Sequence, residues 1–333
     1  MARLSSAETA HYQHEGWVIP EFRLPPPRVA AMVQALETLL RDNPGVRPEK
    51  LVSAHVAGDN GEGVRGVSDF LDLARDPEIV ELVSDVIGED VILWGCHVFC
   101  KPAGEGYETP WHQDGHYWPI RPLATCTAWV ALEESTVENG CLRVIPRSHE
   151  GERLHEHLHE DRTDLTLNQR MADGTFDEAQ AVDLELQPGQ MSLHDVYMIH
   201  GAAANTSGKR RTGVALRYMP STSVFERNLR PVDGKTGVAV NFANRPLWLV
   251  RGVSDFLDLA RDPDDGGSRR RDPAGHRAGH GRAQLRWPTL KSLRPLRSTP
   301  RNSQIGRCAK FTAMPVLPST GRRLRSKTEV AGM

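Results

Sequence analysis

The chain has 333 residues, of which 39% are hydrophobic and 25% are charged, and its formal net charge is −2. This composition is that of a globular protein with one large domain or two small ones, and it excludes a fibrous or a largely disordered chain. No apolar run approaches the ~20 residues of a membrane-spanning helix, and no signal peptide is visible. The five cysteines form no CxxC pair, so we expect free thiols in a reducing compartment and a cytoplasmic protein without membrane contact.

The first ninety residues are predicted to be mainly helical. Ser5, followed by Glu8, predicts the start of a helix that ends near Gly16 and leads into a short strand. Apolar residues at i, i+3, i+4 and i+7 after Pro25 predict an amphipathic helix. The remaining segments are a Gly- and Asp-rich loop and two short helices, predicted at residues 51–66, 67–73 and 77–86.

Short strands dominate the chain after residue 90. Residues 91–100 have the aromatic and β-branched content of a buried strand. In the segment 125–132, Ala128 and Val130 face one way and Thr127 and Trp129 the other. Further strands are predicted at residues 142–145, 182–184, 189–195 and 212–219. This order predicts a mainly β fold with helical support, built on a double-stranded β-helix (a jelly roll, cupin-like) at about residues 91–220.

A candidate metal site combines two distant parts of the chain. His112 and Asp114 are two positions apart, so on an extended strand their side chains emerge from the same face. His200 would have to be brought to them by the fold. Two histidines and one carboxylate are the facial triad of non-haem Fe(II) oxygenases. An isolated HxD pair is common by chance, and His116 and His194 match the same strand parity, so the surrounding sequence has to decide.

The surrounding sequence resembles the phytanoyl-CoA dioxygenase family of Fe(II)- and 2-oxoglutarate-dependent oxygenases. The residues that carry this resemblance are HQDGHYWPIRP at 112–122, Ala128-Trp129, NGCLRVIPRSH at 139–149, and His200-Gly201 followed eleven positions on by Arg211. The resemblance extends from about Ala7 to about Gly252. It implies a dioxygenase domain at residues 1–252 with the jelly-roll core described above.

The resemblance also implies a set of site residues. His112, Asp114 and His200 would bind Fe(II), and His200 is preferred to His194 because Gly201 follows it and because of its distance to Arg211. Arg211 would bind the distal carboxylate of 2-oxoglutarate, since a guanidinium makes two parallel charge-assisted hydrogen bonds. Arg217 is its rival on the same strand face, whereas Arg210 points the opposite way and should be solvated. The pocket for the cosubstrate would be lined by Trp129, Gln113 and His97, although Trp129 could instead be an ordinary core aromatic.

The chemistry that follows from the resemblance is the oxidation of an unactivated C–H bond. O2 and 2-oxoglutarate would be consumed, succinate and CO2 released, and a small organic substrate hydroxylated. Asp114 favours hydroxylation over halogenation, because the related halogenases carry a small residue there. Two alternatives remain: epimerisation, desaturation or cyclisation by the same fold, and a jelly-roll metal-binding protein that is not an oxygenase. No glycine motif for phosphate or coenzyme A stands out.

Two segments invite further hypotheses. Residues 150–176 are polar and include His155, His157 and His159; we expect an exposed insertion rather than a second metal site, with a lid over the active site as a minor hypothesis. The 14 residues VRGVSDFLDLARDP occur identically at 64–77 and 250–263. Beyond them, residues 264–333 contain 16 basic and 4 acidic residues, a charge of +12 against −14 for the rest. We therefore predict that residues 253–333 are a duplicated segment followed by a disordered basic tail, for which nucleic-acid binding is the less favoured role.

Overall fold

Four α-helices lie in the first ninety residues of the computed structural model, which describes residues 3–226 and 245–253. They are α1 (Ser6–Glu15), α2 (Pro26–Asp42), α3 (Asp69–Ala74) and α4 (Pro77–Ile87). The Ser5 side chain accepts a hydrogen bond from the Glu8 N–H while the Glu8 carboxylate accepts one from the Ser5 N–H, a reciprocal cap that fixes the start of α1. Gly16 ends α1 with φ +82°, a conformation that costs glycine little. The predicted helices are confirmed.

Most of the other regular structure consists of short β-strands. In chain order they are β1 (Trp17–Val18), β2 (Leu51–Val52), β3 (Gly58–Asp59), β4 (Arg65–Gly66), β5 (Val91–Lys101), β6 (Thr109–His112), β7 (Ile120–Arg121), β8 (Cys126–Ala131), β9 (Leu142–Val144), β10 (His157–His159), β11 (Gln169–Met171), β12 (Val182–Leu184), β13 (Met191–Asp195), β14 (His200–Ala202), β15 (Arg211–Pro220), β16 (Val224–Phe225) and β17 (Trp248–Arg251). Single 3-10 turns occur at Pro48–Lys50, Asp114–His116, Glu150–Glu152 and Glu178–Gln180.

Two antiparallel sheets form the core of the fold. The large sheet has seven strands in the order β1-β13-β8-β15-β5-β17, with β2 also paired to β5. The small sheet has four strands in the order β12-β9-β14-β6. Neighbours in both sheets are mostly distant in sequence, as in the jelly roll that the strand pattern predicted. The predicted fold class, mainly β with helical support, is confirmed.

The two faces of the large sheet have different partners. Ala128 and Val130 belong to the main apolar cluster, in which the four helices cover the outer face of the sheet. Trp129 and Ala131, on the inner face, pack instead with Leu142 of the small sheet. This alternation follows from the period of two along a strand, and it confirms the predicted facing of β8. The inner face is therefore the one that can line a site between the sheets.

Two sequence predictions of irregular structure need correction. Residues 51–66 are not only loop, since β2 pairs with β5 and β3 pairs with β4. Residues 150–176 are not a uniformly exposed insertion, because β10 and β11 form a hairpin. Within that hairpin His157 is only 8% exposed. In both places long-range strand pairing, which local composition does not reveal, overrides the loop signal.

The last described strand reaches into the second copy of the repeated segment. Trp248 is buried in the main apolar cluster, and β17 pairs with β5. Residues 250–253 begin the second copy, and the predicted basic tail after them lies outside the described residues. Within residues 3–226 and 245–253, no helix is both long and apolar enough to cross a bilayer. Four of the five cysteines fall in the described part and are free thiols: Cys96, Cys100, Cys126 and Cys141.

Candidate metal centre and its facing cavity

The fold brings together the three side chains that the sequence proposed as metal ligands. His112 at the end of β6 pairs directly with His200 at the start of β14, so their rings lie side by side with centroids 4.2 Å apart. Asp114 completes the group, and one ligand atom from each of the three residues lies within 4.8 Å of the other two. All three are buried, with 5%, 6% and 6% exposure for His112, Asp114 and His200.

Asp114 reaches this cluster from a turn and not from the strand. β6 ends at His112, and Asp114 is the first residue of a 3-10 turn. The expectation that both side chains project from one regular strand is therefore wrong. The carboxylate swings back toward the histidines, with Asp114 Oδ1 3.6 Å from His112 Nε2 and Oδ2 3.9 Å from His200 Nε2. Both distances are too long for hydrogen bonds, which leaves the space between the three groups open.

Backbone carbonyls orient both imidazoles for metal binding. His112 Nδ1 lies 2.8 Å from the Pro110 carbonyl oxygen, and His200 Nδ1 lies 3.0 Å from that of Met198. A carbonyl only accepts, so Nδ1 carries the hydrogen in each ring and the Nε2 lone pair faces the cluster, the arrangement typical of metal-ligating histidines. Burial, with neighbouring His112, lowers the pKa of His200 well below its usual value. The donor set therefore fits a divalent metal ion.

The carboxylate in the cluster is ionised. Burial alone would raise the pKa of Asp114, but Arg217 and the two histidines outweigh that effect and hold the pKa well below its usual value. Arg217 Nη2 lies 4.0 Å from Asp114 Oδ1. Two neutral imidazoles and one anionic oxygen donor are the ligand types that non-haem Fe(II) sites use.

A cavity that is partly open to solvent lies between the cluster and the large sheet. Arg211 of β15 lies on its wall, only 2% exposed. Its Nη2 donates to the Gly140 carbonyl oxygen, and its Nε has no hydrogen-bond partner. Burial lowers the pKa of Arg211 to about 10, so it remains a cation at neutral pH. No carboxylate of the described residues forms an ion pair with it. A buried guanidinium in this state has hydrogen-bonding capacity with which it can pair with an anionic ligand.

Trp129 forms a second wall of the cavity. Its ring lies 5.3 Å from the Arg211 guanidinium carbon, and it covers Gly213 on the neighbouring strand. A Cβ atom at position 213 would lie 1.8 Å from Trp129 Cζ2, so only glycine allows the indole this position. The sequence analysis missed Gly213, and nothing in the pattern of β15 marks it.

Gln113 and His97 do not line the cavity in the way that the resemblance implied. The Gln113 side chain is fully buried on the opposite side of the chain from His112, where its amide donates to the carbonyl oxygens of Arg153 and Tyr197 and accepts from the His155 N–H. Strand alternation explains the outcome, because neighbours of an inward ligand point away from it. The His97 ring is directed at the backbone instead, with Nε2 3.1 Å from the Glu49 carbonyl oxygen.

The wall position next to His97 is taken by Phe99. The two rings stack with centroids 3.9 Å apart, and Phe99 is the one that lines the cavity. A phenyl ring on the same strand face thus covers the imidazole, which residue spacing alone could not reveal.

The rival ligands and arginines occupy distinct positions. His116 stacks on His157 with centroids 4.2 Å apart and is not part of the cluster. His194, on β13, lines the cavity with its ring centroid 5.0 Å from that of His200. Arg217 also lines the cavity. Arg210 faces the other way, as predicted, but is paired with Glu133 and Glu37.

His157 is a site residue that the sequence analysis missed. Its Nε2 accepts a hydrogen bond from the backbone N–H of Gln113, at 3.0 Å, and its Nδ1 lies 3.0 Å from the His155 carbonyl oxygen. Burial, followed by the neighbouring His116, lowers the pKa of His157 to about 3, which keeps this acceptor neutral. His157 thereby holds the peptide between the two ligands His112 and Asp114.

Comparison with known proteins agrees with this geometry. The family model described as phytanoyl-CoA dioxygenase (PhyH) matches residues 12–213. The peroxisomal phytanoyl-CoA dioxygenase of Homo sapiens is 32% identical over 193 residues, which are 53% of this chain and 56% of that one. L-proline trans-4-hydroxylase of Streptomyces griseoviridis is 29% identical over 246 residues, which cover 66% of this chain and 88% of that one. The chain spans about half the length of many of the relatives that it matches.

Solved structures share the fold. The epimerase SnoN, in complex with Fe3+, alpha ketoglutarate and nogalamycin RO, superimposes with a TM-score of 0.54 at 23% identity over 69% of this chain and 91% of that one. At this identity the similarity concerns the fold and not the reaction.

Proposed function

The chain belongs to the phytanoyl-CoA dioxygenase family, and from this premise we propose that it is an Fe(II)- and 2-oxoglutarate-dependent dioxygenase that hydroxylates an unactivated C–H bond of a small organic substrate. One observation carries the proposal. Two imidazoles and a carboxylate converge in a buried cluster, and a buried guanidinium, which has no carboxylate partner among the described residues, lines the same cavity. A metal-binding jelly roll that is not an oxygenase has no need of that guanidinium.

His112, Asp114 and His200 would hold the iron. When bound, Fe(II) supplies the activation of O2 that is coupled to oxidative decarboxylation of 2-oxoglutarate. In the overall reaction one oxygen atom enters succinate, the other becomes the new hydroxyl group, and CO2 leaves. The Nδ1 hydrogen bonds of His112 and His200 keep both Nε2 lone pairs directed at the ion.

Arg211 would bind the distal carboxylate of 2-oxoglutarate. Its hydrogen bond to the Gly140 carbonyl oxygen fixes the plane of the guanidinium, and its unpartnered Nε–H is free to donate. Trp129 and Phe99 would form apolar walls beside the cosubstrate. They exclude water from the cavity, which strengthens the charge-assisted hydrogen bonds inside it.

Hydroxylation is favoured over the other outcomes by the carboxylate at position 114 and by the relatives. With Asp114 in place no ligand position is vacated for a halide. Both the human relative and the Streptomyces relative are named as oxygen-inserting enzymes. The shared fold with SnoN, an epimerase, keeps epimerisation, desaturation or cyclisation as the alternative.

Anaerobic titration tests the proposal. We expect the full chain to bind one Fe(II) and then 2-oxoglutarate, with the visible charge-transfer absorption of an Fe(II)–2-oxo acid chelate. Aerobic screening of candidate substrates should then raise succinate release above the rate without substrate. A chain that binds neither Fe(II) nor 2-oxoglutarate would contradict the proposal, and an isomeric product without added oxygen would favour the alternative.

We further propose that residues 1–252 are the dioxygenase domain. Trp248 and the pairing of β17 with β5 make the end of this range part of the core. A chain that ends after Pro263 should therefore fold and bind Fe(II) like the full chain, as measured by thermal unfolding and iron stoichiometry. Loss of folding in that truncation would contradict the assignment.

A further inference from the structure

Three polar side chains on the inner face of the large sheet stand opposite the metal ligands. Thr127 of β8 pairs with His194 of β13 on one side and with Arg217 of β15 on the other. All three line the cavity. We call His194, Thr127 and Arg217 the donor row. It runs across three adjacent strands, with His200 facing its His194 end and Asp114 its Arg217 end.

The donor row has hydrogen-bonding capacity that the protein does not use. His194 is 2% exposed, and neither of its ring nitrogens has a hydrogen-bond partner. Arg217 Nε is likewise buried without a partner. Leaving a buried donor or acceptor unpaired destabilises a folded protein. Two such residues, one on each side of Thr127 and both on the cavity wall, indicate a place for a polar ligand.

Aromatic rings hold the guanidinium of Arg217 toward the cavity. Its central carbon lies 5.1 Å from the centre of the Trp118 ring and 5.8 Å from that of Trp94. Arg245 packs over Trp94 as well, but it is paired with Glu62. Arg217 Nη2 lies 4.0 Å from Asp114 Oδ1, and the metal would engage that carboxylate. Its fork is therefore available to another anion.

The charge balance of the site also favours a further anionic ligand. In the proposed enzyme, Fe(II) with Asp114 carries one positive charge, and Arg211 and Arg217 carry one each. Lys101 bonds to the carbonyl oxygens of Ala202 and Ala203, and burial lowers its pKa to about 6, so it adds little charge at neutral pH. Bound 2-oxoglutarate brings two negative charges, which leaves one positive charge over.

We propose that the donor row is a second carboxylate site, which binds a carboxylate of the primary substrate beside the metal. This inference rests on the proposed function and specifies its substrate class: a small carboxylic acid, bound as its anion, whose reacting C–H bond lies within a few bonds of the carboxylate. Arg217 supplies the charge-assisted hydrogen bonds. His194 and Thr127, which line the same cavity, supply further polar contacts.

A carboxylate at this position could also come from the metal-binding end of 2-oxoglutarate, so the experiment has two arms. The first arm titrates 2-oxoglutarate into the anaerobic Fe(II)-loaded full chain and follows the charge-transfer absorption. We expect Arg217→Gln to change the dissociation constant of 2-oxoglutarate by less than about threefold, and Arg211→Gln to raise it by about 10–100-fold. Equal losses in the two variants would assign the donor row to the cosubstrate and overturn the proposal.

The second arm measures binding of probe carboxylates by calorimetry in the anaerobic Fe(II)–2-oxoglutarate protein. The probes are cyclohexanecarboxylate, benzoate and L-prolinate, each compared with its primary amide. The wild type should bind at least one acid about 10–100-fold more tightly than the amide. Arg217→Gln should abolish that preference, Arg217→Lys should retain part of it, and Arg210→Gln, on the outer face of the same strand, should leave it unchanged.

Several results would overturn the inference. One is a wild type that shows no preference for the acids over their amides, and another is a preference that survives Arg217→Gln. A third is loss of Fe(II) from both Arg217 variants, which would mean that Arg217 only supports Asp114. A wild type that shows no Fe(II)–2-oxoglutarate absorption would instead contradict the proposed function itself, so the two failures are distinguishable.

Discussion

The two sheets contribute to the cavity in opposite ways. The small sheet and the turn after it carry His112, His200 and Asp114, and each imidazole there is already oriented by a backbone carbonyl. The large sheet carries Arg211 and Arg217, whose Nε atoms are buried and unpartnered. The small sheet is thus complete as a ligand set for a cation, whereas the large sheet lacks the anions that its guanidinium groups require. At this cavity the unpartnered Nε atoms belong to the large sheet, whereas the imidazoles of the small sheet are held by backbone carbonyl oxygens.

The largest effect in the comparison of the two sheets is expected when a proposed metal ligand carried by the small sheet, or by the turn after β6, is removed. His112→Ala, Asp114→Ala and His200→Ala should each abolish Fe(II) binding and lower turnover by more than about 100-fold, since loss of even an outer partner of a ligand costs about 10–100-fold. Iron stoichiometry after anaerobic gel filtration and succinate release provide the measurements. His159→Ala, exposed on β10, is the matched control. Iron that is lost with His194→Ala but kept with His200→Ala would reassign the ligand.

The large sheet should respond through the cosubstrate and not through the metal. Arg211→Ala should raise the 2-oxoglutarate concentration for half-maximal rate by about 10–100-fold, because a charge-assisted hydrogen bond contributes about 1.5–3 kcal/mol. Fe(II) binding should stay near the wild-type value. Arg210→Ala is the control. Arg210 precedes Arg211 in sequence, but its guanidinium lies on the outer face, where it is paired with Glu133 and Glu37. An unchanged requirement in Arg211→Ala would transfer the role to Arg217.

A smaller change tests whether the wall of the large sheet must be in place. Gly213→Ala should push the Trp129 ring aside, because its methyl group would collide with that ring. We expect a loss of about 1–3 kcal/mol in the free energy of unfolding, as for other overpacked cores, together with weaker 2-oxoglutarate binding. Gly208→Ala adds a methyl group in open space and serves as the control. Equal thermal midpoints for the two variants would show that the indole can move freely.

The free energy of unfolding should decrease gradually at acidic pH because of His55, which is buried in the helix-covered side of the large sheet. Burial, with Arg245 and Arg75, lowers the pKa of His55 to about 3; its ring packs against Trp248. The unfolded chain takes up this proton near pH 6.5 and the folded protein does not. Stability is therefore full above about pH 6.5 and falls by up to about 1.4 kcal/mol per pH unit as the pH drops toward 3.

His55→Phe should remove this part of the pH dependence. Urea unfolding of both proteins at pH 7, 6 and 5 measures the difference. The ligand histidines are present in both chains, so their contribution cancels. Identical slopes would mean that His55 is protonated without loss of the fold.

Much of the fold could be predicted because its signals are local. The cap at Ser5 and the alternation around Trp129 depend on residues within one element, and both were confirmed. The place of Asp114 could not be predicted, because β6 ends at His112, two residues before Asp114, and Asp114 begins a 3-10 turn. The environment of Gln113 depends on His157, which is 44 positions away in sequence. The path of the segment that contains His157, residues 150–176, follows from the pairing between β10 and β11. The glycine beneath Trp129 is visible only once β8 and β15 are neighbours.

Gln113 is one of several contacts that join the insertion, residues 150–176, to the small sheet, beside the Thr166–Thr109 hydrogen bond and the Glu108–Leu165 bridge. Its side chain and backbone make hydrogen bonds to Arg153, His155 and His157 in the insertion, and its amide also bonds to Tyr197 shortly before His200. An outward swing of the insertion must therefore release the peptide that joins two metal-binding side chains. A conformation in which these hydrogen bonds are broken would hold the proposed ligands His112 and Asp114 less firmly, so Gln113 and His157 act on the ligand set without lining the cavity.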